Sequence, residues 1–557
     1  MLKKNWKTLL ISAIVLLITF FHSNIFIEGV VWTKWAILLF VSPLIGFTLF
    51  MRRKKKIQVD FFYLLVSSFS LLLLFKAIIM EHAFFYYTWY IIVFWLLYSF
   101  FYFNKILRVL LYHVFVFAGV ILSIIGYIQY FTGSRFIVGV YDNPAGFAFS
   151  LTLFLPFIFC LWKHCKNHKT IFYYAAATAM LIVVVLLSAS RTAIVALFYI
   201  IISTCFVKYK KYSYSVLSIL FLCLLFFMKN DSTTGRFFIL SNSFDMLQNN
   251  FLWGYGFGGF RSQYMTFQAQ AFKSSFNEKY IMFADDISHP LNEFILFLIE
   301  HGWIFSIIGL GILLVYLIKA KKNSPHYLCL VSILIFSLFS YPFRYPLTLL
   351  IFAYSLSNLK IKAITITFPR NTLIIMFVLS GIWLYYIIGD IANNRIWAKQ
   401  YNKVKLGQFD KAKTKYKNLS VAMANNVNFL FNYASVLYRA GLYNESLFYA
   451  KKCLKWRNNY DVQLLLADNY YKLNNNEAAI THYETASFMC PNRFSPIYGI
   501  FLVYYNANNK IKAEDYGHLI LNKPIKVQSK ELHRILLDVR KKMDMIITAY
   551  SAEAVPL

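Results

Sequence analysis

Arg191, Arg236 and His289 are the side chains best suited to chemistry, because each lies in a polar gap between long apolar runs. The guanidinium of arginine is planar and forms paired, charge-assisted hydrogen bonds with phosphate oxygens. Histidine exchanges its proton near neutral pH, so it can take the proton of an attacking hydroxyl. Two arginines and one histidine in a water-poor site would suffice to bind a phosphate and activate a hydroxyl.

The apolar runs that separate these gaps have the length of membrane-spanning helices. Between Leu9 and Ile388, Leu, Ile, Val and Phe form runs of about 16 to 25 residues, and an α-helix needs about 20 residues to cross the hydrocarbon core of a bilayer. The sequence is 59% hydrophobic and carries a formal net charge of +32, a combination that describes neither a soluble enzyme nor a nucleic-acid-binding protein. We therefore expect an all-α, polytopic membrane helix bundle.

Basic residues predict which helix ends face the cytoplasm, because short loops rich in lysine and arginine stay on that side. Seven gaps meet this description: residues 3–7, 52–56, 105–108, 163–169, 208–211, 319–322 and 360–370. The apolar sequence between consecutive basic gaps is long enough for two helices, and one more run, 373–388, follows the last gap. We expect about 12 to 13 transmembrane helices in residues 1–390, with everything after Asp390 on the outer face.

The candidate residues all fall in gaps on this outer face. Arg191 lies between two apolar runs, where a charge without a partner marks a functional site by default, although an arginine can also extend to lipid headgroups. His289 comes just before Pro290 near a helix start, where an ordinary interfacial histidine is the simpler alternative. Arg344 lies between two prolines and is a candidate for a further phosphate contact. Its alternative is a capped turn within an interfacial belt of aromatic residues.

The longest polar stretch, residues 229–289, forms a large outer loop. Arg236 precedes a helical pattern at 237–247 in this loop. A turn of alternating glycine and aromatic residues follows at 249–260, and we expect it to admit the backbone of a ligand.

The end of this loop carries a helix-start signal. Ser288 precedes His289 and a proline, so Asn292 and Glu293 are expected on the first turn of a long apolar helix. The preceding pair of aspartates, Asp285 and Asp286, could bind a divalent ion, but two adjacent loop carboxylates are weak support for a metal site.

After Asp390 the composition becomes polar and rich in asparagine, with a period of about 34 residues. The repeated positions are Gly407, Phe409 and Ala412; Gly441, Tyr443 and Ser446; Asn474 and Ala479; and Asn508 and Ala513. The period resembles the tetratricopeptide repeat, so we expect an α-helical repeat solenoid over residues 391–525 and a C-terminal helix and tail over 526–557. The solenoid could bind an acceptor or a partner protein, or it could serve only packing and stability.

The order of the outer features closely resembles the O-antigen ligase and polymerase superfamily, which includes bacterial protein O-oligosaccharyltransferases. The features are Asn143-Pro144 at a helix start, Ser190-Arg191, Gly235-Arg236, the Gly-aromatic turn, and His289 with Asn292, Glu293, Glu300 and Gly302. The resemblance covers roughly residues 100–320 in motifs and the membrane region in topology. Two details depart from the family: Trp303-Ile304-Phe305 follows Gly302 where a second glycine is common, and Asn143-Pro144-Ala145 replaces Asn-Pro-Asn.

The resemblance implies a GT-C-like glycosyltransferase that moves a preassembled glycan from undecaprenyl diphosphate to an acceptor hydroxyl. The reaction would take place on the periplasmic side of the bacterial inner membrane, without a metal or nucleotide cofactor. The acceptor would be the lipid A core, another glycan or a protein. The implied roles are diphosphate binding for Arg191 and Arg236 and acceptor activation for His289. From its position between two prolines, Arg344 is a candidate for a third diphosphate contact, and Asn143, Asn292 and Glu293 are candidates for supporting roles.

Three other functions remain open. A polymerase of the same superfamily would extend the glycan on its carrier with the same donor. A transporter or flippase should carry ionisable groups at mid-membrane depth, where Lys76 is the main charge within a span. A non-catalytic assembly scaffold built around the repeats would leave the order of Arg191, Arg236 and His289 unexplained.

Overall fold

The structure is a computed structural model that describes residues 2–50, 56–79, 84–104, 108–205, 230–274, 278–359, 361, 363–367 and 370–553. The chain forms two compact units. The first unit comprises residues 1–228, 291–297 and 303–399, and the second unit comprises residues 229–290, 298–302 and 400–557. The polar loop therefore groups with the C-terminal helices, whereas the sequence pattern assigned it to the transmembrane domain. Hydropathy identifies polar segments but does not reveal which of them pack together.

The described residues are predominantly helical. The first helices are α1 (Leu2–Phe20), α2 (Val31–Phe50), α3 (Phe61–Ile79), α4 (Phe84–Phe103), α5 (Arg108–Phe131), α6 (Pro144–Lys163), α7 (His168–Leu187) and α8 (Arg191–Cys205). They are followed by α9 (Asn230–Asn249), α10 (Gly259–Ser274), α11 (Glu278–Ile281), α12 (Glu293–Lys319), α13 (Pro325–Ser337), a 3-10 turn (Pro342–Arg344), α14 (Pro346–Leu356) and α15 (Arg370–Lys405). The C-terminal helices are α16 (Phe409–Ala422), α17 (Val427–Arg439), α18 (Tyr443–Leu454), α19 (Tyr460–Lys472), α20 (Asn476–Met489), α21 (Ser495–Asn506), α22 (Lys510–Leu521) and α23 (Lys530–Glu553).

Several helices have the length and composition of membrane spans. Among the described residues, six are long and apolar enough: Val31–Leu49, Phe61–Ile79, Leu110–Phe131, Pro144–Lys163, His168–Leu187 and Glu293–Lys319. The shorter apolar helices are Trp6–Phe20, Thr88–Phe103, Arg191–Thr204, Pro325–Ser337 and Pro346–Leu356. These helices support a multi-pass membrane protein. The apolar run at 212–228 and the basic gap at 208–211 lie outside the described residues, so the full number of spans stays a prediction.

Helix α6 lies at the centre of the first unit. It packs against α5, α7, α8 and α13, and every residue from Gly146 to Ile158 is buried. Its aromatic side chains interlock with those of neighbouring helices; the ring of Phe149 stacks on that of Phe336 with 3.9 Å between centroids. Because α6 is enclosed by other helices, the residues at its start have a well-defined position at one end of the unit.

Two short strands join distant parts of the first unit. Strand β1 (Lys56–Asp60) pairs antiparallel with β2 (Ala363–Thr367), and both carry the β-branched residues that favour strands. Strand β1 begins at Lys56 of the basic gap 52–56, and β2 lies within the basic gap 360–370, so their pairing places the described residues of both gaps side by side. This placement agrees with the alternation of basic gaps from which the orientation is predicted.

The C-terminal helices of the second unit repeat one local geometry. From α16 to α23, each helix packs against the next. The turns between paired helices hold residues with left-handed φ angles: Gly407 (77°), Gly441 (76°), Asn474 (58°) and Asn508 (55°). The small residues that follow them, Ala412, Ser446, Ala479 and Ala513, are fully buried. Glycine and asparagine tolerate such φ angles, and small residues let helices approach closely. The identification with tetratricopeptide repeats stays a prediction.

Candidate active site

Asn143 caps the central helix α6 and anchors it to a second segment of the first unit. Its Oδ1 accepts a hydrogen bond from the amide of Gly146 at 2.7 Å, and Pro144 occupies the first helical position, as expected at a helix start. Its Nδ2 donates to Oη of Tyr345 at 2.8 Å. Both the oxygen and the nitrogen of the Asn143 side-chain amide are thus hydrogen-bonded within the protein. Asn143 therefore holds the start of α6 in place.

Arg344 is paired with a carboxylate that sequence analysis missed. Its Nη2 lies 2.8 Å from Oδ2 of Asp142, and Oη of Tyr345 donates to Oδ1 of the same carboxylate. Burial lowers the pKa of the Arg344 guanidinium, but the charge of Asp142 and neighbouring side chains raise it, and the net shift is upward. Burial, followed by the hydrogen bond to Asp142, raises the pKa of the Tyr345 hydroxyl. Arg344 is therefore a stable cation whose charge is already partly neutralised.

Lys34 adds a second basic side chain near this carboxylate and was also missed. Its side chain is buried, its Nζ lies 4.4 Å from the centroid of the Tyr141 ring, and it donates to the main-chain oxygen of Thr19. Asp142 follows Tyr141 directly in the sequence. The signal that could have found Lys34 is its position within the apolar run of α2, since a lysine in such a run needs a specific environment.

The helix after the polar loop starts later than the sequence predicted. Helix α12 begins at Glu293 with Asn292 as its N-cap, and Leu291 has a left-handed φ of 56°. Ser288 is therefore not the start of this helix. His289 lies in the non-helical segment that precedes α12, because Asn292 is the side chain whose oxygen accepts the first free amides of the helix.

Asn292 and Glu293 tie this helix start to the segment that carries Arg344. Nδ2 of Asn292 donates to the main-chain oxygen of Leu338 at 3.0 Å, and Oε1 of Glu293 accepts from the amide of Phe343 at 3.4 Å. Both side chains thus hold the connection between α13 and α14. Their supporting role in catalysis stays a prediction.

Arg191 is the first residue of α8, and its side chain is exposed. Within the described part of the chain, the guanidinium of Arg191 makes no hydrogen bond or ion pair. The turn before it is tight, since Ala189 has a left-handed φ of 53°, and the buried hydroxyl of Ser190 has no hydrogen-bond partner among the described residues. The first amides of a helix also lack partners within the helix. An exposed guanidinium beside such groups suits an anion such as phosphate.

The Gly-aromatic turn packs against a segment of α12. The amides of Tyr255 and Gly256 donate to the main-chain oxygens of Ile299 and Glu300 at 2.8 and 2.9 Å. Oε1 of Glu300 accepts from the amide of Gly258 at 2.8 Å. The turn is therefore bonded to the chain's own backbone, where the sequence had suggested the backbone of a ligand.

The glycines of this contact are required by the close approach of the two backbones. Gly302 interrupts α12 with φ of 74° and ψ of 179°, a conformation that is essentially restricted to glycine. A Cβ on Gly302 would overlap the main-chain oxygen of Leu252, and a Cβ on Gly254 would lie 2.5 Å from that of Ile299. Glycine spacing alone could not reveal this contact, because it joins two separate segments.

Arg236 and His289 both belong to the second unit. Helix α9 begins at Asn230, so Arg236 lies inside this helix and not ahead of it as predicted. A Cβ on Gly235 would lie 3.7 Å from Cβ of Phe283, which places the segment leading to His289 beside the first turns of α9. His289 itself is half-buried.

The structure brings four of the predicted residues together in the first unit. These four are linked through residues 338–345: Asn143, Asn292, Glu293 and Arg344. Arg191 is in the same unit at the start of α8. Arg236 and His289 lie in the second unit.

No group of three or more His, Cys, Asp or Glu side chains in the described ranges is placed to hold a metal ion. The adjacent carboxylates of the polar loop, Asp285 and Asp286, bind protein groups. Oδ1 of Asp285 lies 2.7 Å from Nη2 of Arg493, and Oδ2 of Asp286 accepts from Nδ2 of Asn459 at 2.6 Å.

A family model described as O-antigen ligase matches residues 175–307. The matched region contains Arg191, Arg236, the Gly-aromatic turn and His289, whereas Asn143 and Arg344 lie outside it. No curated protein and no solved structure matches the chain. The family match supports the resemblance to the ligase superfamily. Together with the apolar helices, it points to glycan transfer in a membrane.

Proposed function

We propose that this chain is an integral-membrane glycosyltransferase that moves a preassembled glycan from undecaprenyl diphosphate to an acceptor hydroxyl. The observation that carries the proposal is the ligase-family match over residues 175–307, which includes both arginines and the histidine of the predicted site. The apolar helices supply the environment that a lipid-linked donor needs.

Arg191 is the main proposed ligand of the donor diphosphate. Its exposed guanidinium, the unpartnered hydroxyl of Ser190 and the free amides at the start of α8 together favour an anion. Arg236 is the proposed second ligand. Arg344 is a weaker candidate, because Asp142 already pairs with it and a phosphate would have to compete with that carboxylate.

His289 is proposed to activate the acceptor. The acceptor oxygen attacks the anomeric carbon of the carrier-linked sugar while the bond from that carbon to the diphosphate oxygen breaks. The hydroxyl proton passes to the imidazole of His289, and the bonding electron pair leaves with the diphosphate. Because negative charge grows on the diphosphate, Arg191 and Arg236 stabilise the transition state more than the bound donor.

The proposed location is the periplasmic side of the inner membrane. The basic gaps define the cytoplasmic side, and the paired strands β1 and β2 support this assignment by joining two of those gaps. The acceptor is proposed to be macromolecular, either the lipid A core or a protein, since a free sugar end would not need a large folded unit after the membrane helices.

Deletion of the gene tests both the activity and the acceptor. Lipopolysaccharide and glycoproteins from the same cells are compared on parallel blots. Loss of long-chain lipopolysaccharide alone identifies the lipid A core as the acceptor, and loss of glycoproteins alone identifies protein. Shortened glycans that are still attached in both fractions would instead identify a polymerase.

A purified system tests the chemistry. The protein in lipid nanodiscs receives a lipid-diphosphate-linked glycan and the acceptor identified by the blots, and the transferred glycan is measured. We expect the wild type to transfer the glycan. We expect His289→Ala to bind the lipid-linked donor as well as the wild type does but to transfer no glycan. Donor that crosses a vesicle membrane without transfer to the acceptor would identify a transporter and overturn the proposal.

A further inference from the structure

The C-terminal helices hold the polar loop within the second unit. Three contacts occur at the starts of α17 and α19. Nη2 of Arg261 donates to Oδ1 of Asn428 at 2.7 Å, and Nδ2 of Asn458 donates to Oγ1 of Thr266 at 2.9 Å. The third joins Asn459 to the loop segment described below. Helix α10 of the loop also packs along α20.

The segment that leads to His289 is held by two buried side-chain amides. Nδ2 of Asn492, which is buried, donates to the main-chain oxygens of Ile281, at 3.1 Å, and Ala284. Nε2 of Gln268 donates to the main-chain oxygens of Asp285 at 3.1 Å and Met489 at 2.6 Å, so it connects the loop to the end of α20. A buried amide that satisfies main-chain oxygens fixes the path of the backbone, because leaving those oxygens unpaired is unfavourable.

The two carboxylates next in the sequence are also held by the C-terminal helices. Asp285 pairs with Arg493, but both side chains are about half exposed, so this ion pair contributes little by itself. Asp286 is held more firmly, because its partner Asn459 is only 4% exposed and donates at 2.6 Å. Burial, followed by the charge of Asp461, raises the pKa of Asp286, so its environment already disfavours negative charge.

Because Asn459 holds Asp286 in place, the position of His289 is restricted. Asp286 and His289 are only three positions apart in the sequence, which limits their Cα distance to about 10 Å. The amide of Ile287 is also fixed, since it lies 3.5 Å from Sδ of Met265, and the residue after His289 is a buried proline.

We propose that Asn459 and Asn492 are positioning residues for His289, so that the C-terminal helices form part of the catalytic machinery. This inference rests on the proposed function of His289. It also changes the interpretation of the repeats: the turns that precede α19 and α21 bind the chain's own loop, so an acceptor must use another face.

Exchanging the hydrogen-bond donor and acceptor of the Asn459–Asp286 pair tests the role of Asn459. Asn459→Asp keeps the helix cap, since aspartate caps as well as asparagine, but places a second carboxylate against Asp286. We expect kcat for glycan transfer to fall about tenfold, with unchanged donor binding, and amide hydrogen exchange of residues 281–289 to accelerate about tenfold. Adding Asp286→Asn again places a hydrogen-bond donor opposite a hydrogen-bond acceptor. Both kcat and the rate of amide exchange should therefore return close to wild-type values.

Asn509→Asp is the matched control. Asn509 is the exposed N-cap of α22, with Oδ1 accepting from the amide of Lys512 at 3.2 Å, and we expect this variant to leave both quantities unchanged. All measurements use the full-length protein in nanodiscs.

The outcomes separate this inference from the proposed function. Faster exchange in Asn459→Asp without a change in kcat would overturn the positioning role, as would a fall in kcat that Asp286→Asn does not rescue. Wild-type transfer by His289→Ala would overturn the proposed function instead. If Asn459→Asp fails to fold, recovery of folding and kcat in the double variant supports the pairing, and failure of both variants rejects it.

Discussion

Arg344 and Asp142 form an ion pair with 2.8 Å between Nη2 and Oδ2, whereas the guanidinium of Arg191 has no such partner within the described residues. The side chain of Arg344 is 45% exposed, and that of Asp142 26%. An ion pair this exposed contributes less than about 1 kcal/mol to stability. The two arginines therefore differ in how available they are to a phosphate more than in how they affect folding.

Arg191→Lys should reduce transfer strongly, because lysine keeps the charge but loses the paired hydrogen bonds of the guanidinium. We expect kcat/KM to fall on the order of a hundredfold, as for a lost transition-state contact of about 3 kcal/mol. We expect a similar fall in kcat/KM for Arg236→Lys. Arg344→Lys is the comparison and should lower kcat/KM less than about tenfold, since Asp142 already neutralises part of its charge. Equal losses at Arg191 and Arg344 would contradict this ranking.

His289 as a base must accept the proton of the acceptor hydroxyl, so a side chain that cannot take up a proton tests this role. His289→Gln can still form hydrogen bonds but cannot take up the proton. We expect this variant to bind the donor normally and to lose transfer at every pH. Wild-type rates from purified His289→Gln would exclude the base and leave His289 as an orienting residue.

Gly302→Ala should destabilise the protein, because φ of 74° disfavours any side chain and the new Cβ would overlap the main-chain oxygen of Leu252. We expect a loss of at least about 2 kcal/mol in the free energy of unfolding. Gly311→Ala is the matched control: it lies in the same helix, and a Cβ there meets nothing within 4 Å. Thermal unfolding of both variants in detergent measures the difference, and equal midpoints would refute the close backbone approach.

Asp468 should make the second unit less stable as the pH rises. Burial raises the pKa of this carboxyl from 3.8 to about 6, despite the hydrogen bond that Oη of Tyr483 donates to it at 2.6 Å. Between pH 4 and 6 the unfolded chain loses the proton that the folded chain keeps, so stability falls over this window and stays low above it.

Asp468→Asn should remove this dependence, because an amide oxygen still accepts from Tyr483 and carries no charge. We expect a gain of about 1 to 3 kcal/mol at pH 7.5 and almost none at pH 4. Asp515→Asn, at an exposed position of α22, is the control. Calorimetry at the two pH values measures both variants; the same gain at each pH would show that burial of the charge is not the cause.

The orientation can be tested with single cysteines in a cysteine-free background. Cysteines at the exposed positions Thr132 and Ser274 should react with a membrane-impermeant maleimide once the outer membrane is opened. A cysteine at Lys54 should not react until the inner membrane is permeabilised. Reaction at Lys54 with protection at Ser274 would invert the topology and place the proposed site on the wrong side.

The sequence predicted features that depend on local patterns. Apolar runs identified the helices because their length is set by the membrane, and the start of α6 was recognisable from Asn143 and the proline after it. The period of the C-terminal region also located residues such as Gly407 and Asn474, whose φ angles are left-handed. These features follow from neighbouring residues alone.

Features that join distant segments could not be predicted from spacing. The bond from Gly258 to Glu300 and the pair of Asn459 with Asp286 depend on how separate segments pack. The start of α12 was misplaced for a related reason, because Ser288 and Asn292 both resemble caps and only the structure distinguishes them. Many residues have a local sequence that would suit a given tertiary contact, and only the packing of the folded chain determines which of them forms it.

The pairing of β1 with β2 has a consequence for biosynthesis. The strand Lys56–Asp60 is made early, but its partner Ala363–Thr367 is made only after most of the membrane helices. At roughly 5 to 20 residues per second, the intervening stretch of about 300 residues takes a ribosome roughly 15 to 60 s. The sheet can therefore close only late, when the helices between its strands have already been synthesised, so a closed sheet shows that synthesis of the segment between its strands is complete.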